Sequence, residues 1–317
     1  MQILPRDYVS TAEGLVFAVV DFGQEEGRII SFLRYQKIRG AELMAVSPGR
    51  YRKLSTSEAD ALLSRSYPQY HYRSERRDTA LHGVPAESMC RHWSAREGLL
   101  DLIDAEGSNR FQTTARKAVM QLIAGGIQTN NLGISGSLLL GAQGEGSDID
   151  LVCYHNDDFQ RARQLLADMS GIFQPLTTTD WRQAFERRGG ELSFAEYCWH
   201  ERRKHNKAMV EGIKLDIDLV VPPDKTDSSH WRKKEMVQLR AQVTEDHFGF
   251  HYPARWTIDH PSISEVLCFT ATYSGQAFRG ETIDVAGVLE CHPCGPTRIV
   301  VGHSREAENA YLKVVPS

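Results

Sequence analysis

The chain has no apolar run near the roughly 20 residues that span a bilayer. Its first residues, Met1-Gln2-Ile3-Leu4-Pro5-Arg6-Asp7, hold neither a basic nor a hydrophobic leader. A soluble, cytoplasmic protein with no membrane partner is expected. Cysteine is scarce, six in 317 residues, which excludes a disulfide scaffold. Cys153, Cys198 and Cys268 lie in apolar or aromatic context and are expected to be buried thiols. A basic excess is also missing: 37 Lys and Arg face 41 Asp and Glu, a formal charge of -4. Nucleic-acid binding by bulk charge is thereby excluded, and any basic site has to be local. No Walker loop, Gly-x-Gly-x-x-Gly turn or Gly-x-Ser-x-Gly elbow occurs, which argues against a P-loop NTPase, a dinucleotide enzyme and an α/β-hydrolase. Nor is there an internal repeat at solenoid periods.

What remains is a globular composition, 41% hydrophobic and 25% charged, in a chain long enough for two domains and a smaller piece. Residues 14–22 and 28–35 are β-branched and aromatic around a Gln24-Glu25-Glu26-Gly27 break, the pattern of a hairpin. An apolar stretch, 43–46, precedes Ser55-Thr56-Ser57-Glu58, a capping box for a short helix carrying Ala59, Leu62 and Leu63. Residues 67–85 read as a connecting segment. Ala115, Ala118, Val119, Leu122 and Ile123 keep helical period up to Gly125-Gly126. Strands are expected at 131–134, 148–154 and 213–221, and helices at about 193–209 and 231–243. A second amphipathic helix carries Phe159, Ala162, Leu165, Leu166 and Met169. The glycine-punctuated tail from residue 266 suggests a small antiparallel meander or barrel.

The expected fold class is α+β. A mixed catalytic sheet with packed helices (86–245) is flanked by a small N-terminal α+β domain (1–85) and a β-rich, barrel-like C-terminal domain (246–317).

The chemistry concentrates in Gly136-Ser137, ten intervening residues, and then Asp148-Ile149-Asp150-Leu151-Val152. Aspartates at i and i+2 of a strand share one face about 7 Å apart, and two such charges repel unless water or a cation intervenes. Divalent hard cations take carboxylate oxygens and keep substrate phosphates as further ligands. A glycine admits close backbone approach to a phosphate, and a serine hydroxyl can bond one of its oxygens. A second acidic strand, Lys214-Leu215-Asp216-Ile217-Asp218-Leu219, supplies the third carboxylate that two-metal phosphoryl chemistry needs.

These residues together resemble the DNA polymerase beta superfamily of nucleotidyltransferases: Gly-Ser, about ten residues, acid-hydrophobic-acid, then a later hydrophobic-acid-hydrophobic strand. The layout is also similar to predicted archaeal and bacterial nucleotidyltransferases. The resemblance implies Asp148, Asp150 and a third acid as catalytic residues and metal ligands. Asp216 is preferred for that third acid, although Ile217-Asp218-Leu219 fits the same pattern. Gly136, Ser137, Ser147 and Lys204 are the candidate nucleotide-binding residues. The resemblance further implies Mg²⁺ as cofactor, with Mn²⁺ an alternative, an NTP substrate and release of pyrophosphate. The expected acceptor is a nucleic acid, RNA ahead of DNA, with a small-molecule or protein hydroxyl as the alternative. A catalytically silent nucleic-acid-binding protein is the rival from another class.

Other signals are weaker. His200 and His205 are five apart, about 140° around a helix, which excludes a shared zinc-protease site. Arg202, Arg203, Lys204 and Lys207 could meet a triphosphate or an acceptor backbone, or form a solvated helix face. Cys291-His292-Pro293-Cys294 has knuckle spacing but lacks a second pair, unless Cys268 and His303 serve, and reads better as a hairpin tip. Tyr273, Phe278 and Tyr311 could stack bases on the barrel.

Overall fold

A computed structural model describes residues 2–38, 51–105, 109–144, 146–188, 190–222, 230–302 and 309–315. The apolar stretch 43–46 and His303 lie outside them. By their contacts the residues form two units: 1–73, 80–175 and 206–222, and then 74–79, 176–205 and 223–317.

The first unit begins with β1 (Tyr8–Thr11), β2 (Leu15–Glu25), β3 (Arg28–Lys37), β4 (Tyr51–Lys53) and α1 (Thr56–Ser66). β2 and β3 are the expected hairpin. Ser55 and Glu58 cap α1 reciprocally, and the amide of Ser55 with the nearby Arg52 holds the Glu58 carboxyl down at about 2. The expected connecting segment instead holds two strands, β5 (His71–Ser74) and β6 (Thr79–Pro85). Leu81 and Tyr72 are buried in an apolar cluster with Ile30, and burial of that kind outweighs the polar composition of the segment. With β7 (Met89–Trp93) these strands form one seven-stranded sheet, ordered β5-β6-β3-β2-β1-β7, with β4 beside β3.

The helices α2 (Ala95–Asp104) and α3 (Arg110–Ala124) lead to β8 (Leu132–Ile134), the short α4 (Gly136–Leu140), β9 (Ile149–Cys153) and α5 (Asn156–Ala167). Farther along the chain, β10 (Lys207–Val210) and β11 (Ile213–Leu219) complete a four-stranded mixed sheet, ordered β10-β11-β9-β8. Its central pair, β9 and β11, is parallel; the outer pairs are antiparallel. Tyr8, Val16, Tyr35, Tyr51 and Trp93 of the large sheet share one apolar cluster with Leu140 of α4. N-terminal side chains are thereby fixed against the helix that follows the Gly-Ser pair.

The second unit contains α6 (Thr178–Arg188) and α7 (Phe194–Lys204). The helix expected to reach residue 209 stops at Lys204, because His205 turns left-handed (φ 51°) and 207–210 alternate buried and half-buried as β10. The helix expected at 231–243 is a strand, β12 (Arg232–Glu245). Val237, Leu239, Ala241 and Val243 alternate with Gln238, Arg240 and Gln242, a period of two that prevails over the helix-forming composition. With β13 (Ala254–Asp259), β14 (Glu265–Cys268), β15 (Thr282–Cys291) and β16 (Thr297–Val301), β12 closes a five-stranded barrel in the order β12-β13-β14-β16-β15 and back to β12. β17 (Tyr311–Val314) extends it along β15.

Cys291-His292-Pro293-Cys294 is the expected hairpin tip, tied by the His292 amide donating to the Pro296 carbonyl. The thiols of Cys153, Cys198 and Cys268 are free and buried. Among the described residues, no helix is long and apolar enough to cross a membrane.

Candidate active site

Alternation along β9 buries Ile149 and Leu151 and leaves Asp150 half-buried on the opposite face, with Asp148 just before the strand. The parallel register then decides which residues of β11 stand beside them. Asp216 is paired with Asp150, Ile217 with Leu151, and Asp218 with Val152. By the same register Lys214 falls opposite Asp148. Neighbouring strands lie about 4.8 Å apart, so Asp216 is an immediate neighbour of Asp150. Asp218, one step farther along, forms an ion pair with Arg6 at 2.6 Å.

Lys214 is the residue that motif reading missed. Its ammonium bridges Asp148 Oδ2 at 3.0 Å and Asp216 Oδ2 at 2.9 Å, with only 10% of the side chain exposed. Arg6, Tyr8 and Tyr35 were missed as well. Burial pushes both phenols upward, and the charge of Asp150 adds to the effect on each. No local pattern marks these three, since they arrive from the N-terminal sheet.

Gly136 abuts Asp150. A Cβ built on it would lie 1.9 Å from Asp150 Oδ2, and its φ of +61° is a left-handed value that favours glycine. The preceding residue, Ser135, donates its amide to the Asp150 carbonyl at 2.8 Å and its hydroxyl to the Arg6 carbonyl at 2.6 Å. The start of α4 and the strand bearing the acids are thus tied directly. Ser137, half-buried, is the next helical residue. Ser147 closes the turn before Asp148, its hydroxyl accepting from the Gly144 amide at 3.0 Å and its amide donating to the Gly144 carbonyl.

Lys204 belongs to the second unit, where it is 1% exposed and donates to Glu201 and, at 2.7 Å, to the Thr272 carbonyl. Its ammonium holds a buried core together and offers no open face to a nucleotide. Lys204→Met is expected to lower stability by about 3 kcal/mol, because it strands a buried carboxylate. Urea denaturation measures that loss. An unchanged KM for NTP separates this structural role from a nucleotide-binding one.

The donors fit a divalent hard cation: three carboxylates on one face, with an ammonium already standing between two of them. Among the described residues no three His, Cys, Asp or Glu side chains converge as a ready-made cage. Mg²⁺ does not require one, since it is commonly held by one or two carboxylates together with substrate phosphates.

The mixed sheet, the Gly-Ser helix start and the paired acids define a nucleotidyltransferase of the polymerase beta type. Residues 126–243 match the family described as Nucleotidyltransferase domain, and the chain belongs to it. Over 99% of its own length and 99% of the relative's, the chain is 31% identical to a Methanocaldococcus jannaschii protein named Uncharacterized protein MJ1086. No solved structure matches.

Proposed function

We propose that the protein transfers a nucleoside monophosphate from an NTP to an acceptor hydroxyl, with an RNA 3′ end as the preferred acceptor. The register that sets Asp216 beside Asp150 carries this reading, because it gathers three acids on one face next to Gly136. Asp148, Asp150 and Asp216 would hold Mg²⁺. When bound, the ion neutralises charge on the triphosphate and favours an ionised acceptor oxygen.

The remaining work falls to side chains. The acceptor oxygen attacks the α-phosphorus, the bond to the β-phosphate oxygen breaks, and pyrophosphate leaves with the electron pair. Asp216 orients the acceptor hydroxyl and takes its proton. Ser137 bonds a phosphate oxygen, and Gly136 lets the backbone approach.

Support for a nucleic-acid acceptor comes from a groove of about 590 Å³ in the second unit, lined by Phe194, Trp199, Arg202, Arg203 and His205 among others. Trp199 is 43% exposed, and the Arg203 guanidinium lies 4.1 Å from its ring centroid. An accessible indole in a groove that also holds Arg202 suits an unstacked base and a phosphate, while Arg203 is paired with Glu281. The barrel aromatics suit that role less well: Tyr273 is buried and cannot stack a base.

A pyrophosphate-release assay with each NTP, Mg²⁺ or Mn²⁺ and pooled RNA tests the reading. Release that requires metal and RNA is expected. Release driven only by small molecules or proteins would transfer the reading to those hydroxyls. Binding of RNA with no release under any condition would leave a silent binding protein. Trp199→Ala is expected to raise KM for RNA about tenfold, the worth of one stacked base, while KM for NTP stays level.

A further inference from the structure

We propose that Lys214 is the built-in counter-cation of this acidic face, occupying the place of a divalent ion until the ion arrives with its nucleotide. The inference rests on the metal-dependent reading above and concerns how the site is loaded.

Three observations support it. Lys214 and Asp216 lie two apart on one face of β11, and the register brings that face against Asp148. The ammonium contacts one carboxylate oxygen of Asp148, just before β9, and one of Asp216 on β11, at 3.0 and 2.9 Å, a bridging position between the two. The neighbouring acid, Asp218, has its own partner in Arg6, and Lys207 of β10 stands in register with Asp216, so what Lys214 adds is the bridge from Asp216 to Asp148.

Carboxylates on adjacent strands repel when no cation lies between them, and here they are 19% and 8% exposed, where water screens them poorly. A lysine suits a reversible occupant: its charge is compact and its four-carbon stem is flexible, whereas a guanidinium would lock onto a carboxylate in a planar fork.

Two consequences follow. A metal ion without nucleotide must break two ion pairs, so the free site binds it weakly. A metal arriving on a triphosphate offers the released ammonium new phosphate oxygens, so metal and nucleotide bind cooperatively. Because linkage is reciprocal, removing Lys214 strengthens binding of the metal alone and weakens that cooperativity.

Mn²⁺ binding, followed by the electron paramagnetic resonance of the free ion, tests this on the full chain with and without a non-hydrolysable NTP analogue. Lys214→Met is expected to bind Mn²⁺ about tenfold more tightly than the native protein when nucleotide is absent. The analogue should then tighten Mn²⁺ binding less in the variant. Lys214→Arg, which keeps the charge and grips a carboxylate in a fork, is expected to bind Mn²⁺ no more tightly than the native protein. Thermal melts give a second readout: metal-free Lys214→Met should melt lower, and saturating Mg²⁺ should raise its midpoint more than the native one. If Lys214→Met does not fold without metal, Lys214→Gln carries the same measurements. Equal or weaker Mn²⁺ binding by the uncharged variants would overturn the counter-cation and leave the metal site standing. No Mn²⁺ binding by native protein or variant, with or without analogue, would sink the metal reading and this inference together.

Discussion

Asp150→Asn, Asp148→Asn and Asp216→Asn are each expected to cut metal-dependent pyrophosphate release by roughly a thousandfold or more, the scale of losing a main charge-stabilising group in phosphoryl transfer. Asp218→Asn is expected to stay within about threefold of the native rate. The contrast is strict because Asp216 and Asp218 sit in near-identical local sequence, each acid flanked by apolar residues. Only the register separates them: Asp216 stands beside Asp150 and Asp218 beside Val152. Asp218→Asn loses the pair with Arg6, whose side chains are 44% and 35% exposed, a contact worth at most about 1 kcal/mol. Asp148→Asn and Asp216→Asn also each lose an ion pair with Lys214, so thermal melts separate a loss of chemistry from a loss of stability. Steady-state rates with parallel thermal melts check both statements. Full activity in Asp216→Asn together with loss in Asp218→Asn would overturn the assignment.

Gly136→Ala is expected to lower kcat/KM by about a hundredfold, the cost of moving a reacting group by about an ångström. A methyl group there would meet Asp150 Oδ2 at 1.9 Å, so either the carboxylate or the start of α4 has to move. The backbone adds its own penalty, about 1 kcal/mol for a non-glycine residue at positive φ. Gly212→Ala separates the two effects. Gly212 has φ +82°, and a methyl group there would meet nothing within 4 Å, so it carries the backbone penalty alone. Gly136→Ala should lose more stability than Gly212→Ala in denaturant titrations, because it adds the clash to the backbone penalty, and only Gly136→Ala should lose activity. Equal activity in the two would show that the closeness of Gly136 to Asp150 has no catalytic weight.

Much of the local architecture is legible in the sequence. The Ser55–Glu58 capping box, the 14–35 hairpin, the helix ending at Gly125 and the acidic strands all depend on neighbours within a few residues, and the structure has each of them. Misreadings arose where composition and period disagreed. Residues 232–245 are rich in helix formers, yet their alternation made them a barrel strand. Residues 71–85 look like a polar connector, yet Tyr72 and Leu81 pack in an apolar cluster with Ile30 of the large sheet. Lys204 carried a charge that suggested phosphate, and burial against Glu201 gave it another task.

By itself, the sequence determined the class of chemistry. Carboxylates at i and i+2 on a strand repel unless water or a cation intervenes, and after a Gly-Ser pair they resemble the nucleotidyltransferase motif that residues 126–243 match. Tertiary structure alone decided which third acid stands beside them, which lysine bridges them, and that Arg6, Tyr8 and Tyr35 come from a distant part of the chain to surround them. The reason is physical: alternation tells a residue which face of its strand it occupies, but only inter-strand register and the packing of distant apolar faces tell it which neighbours it meets there.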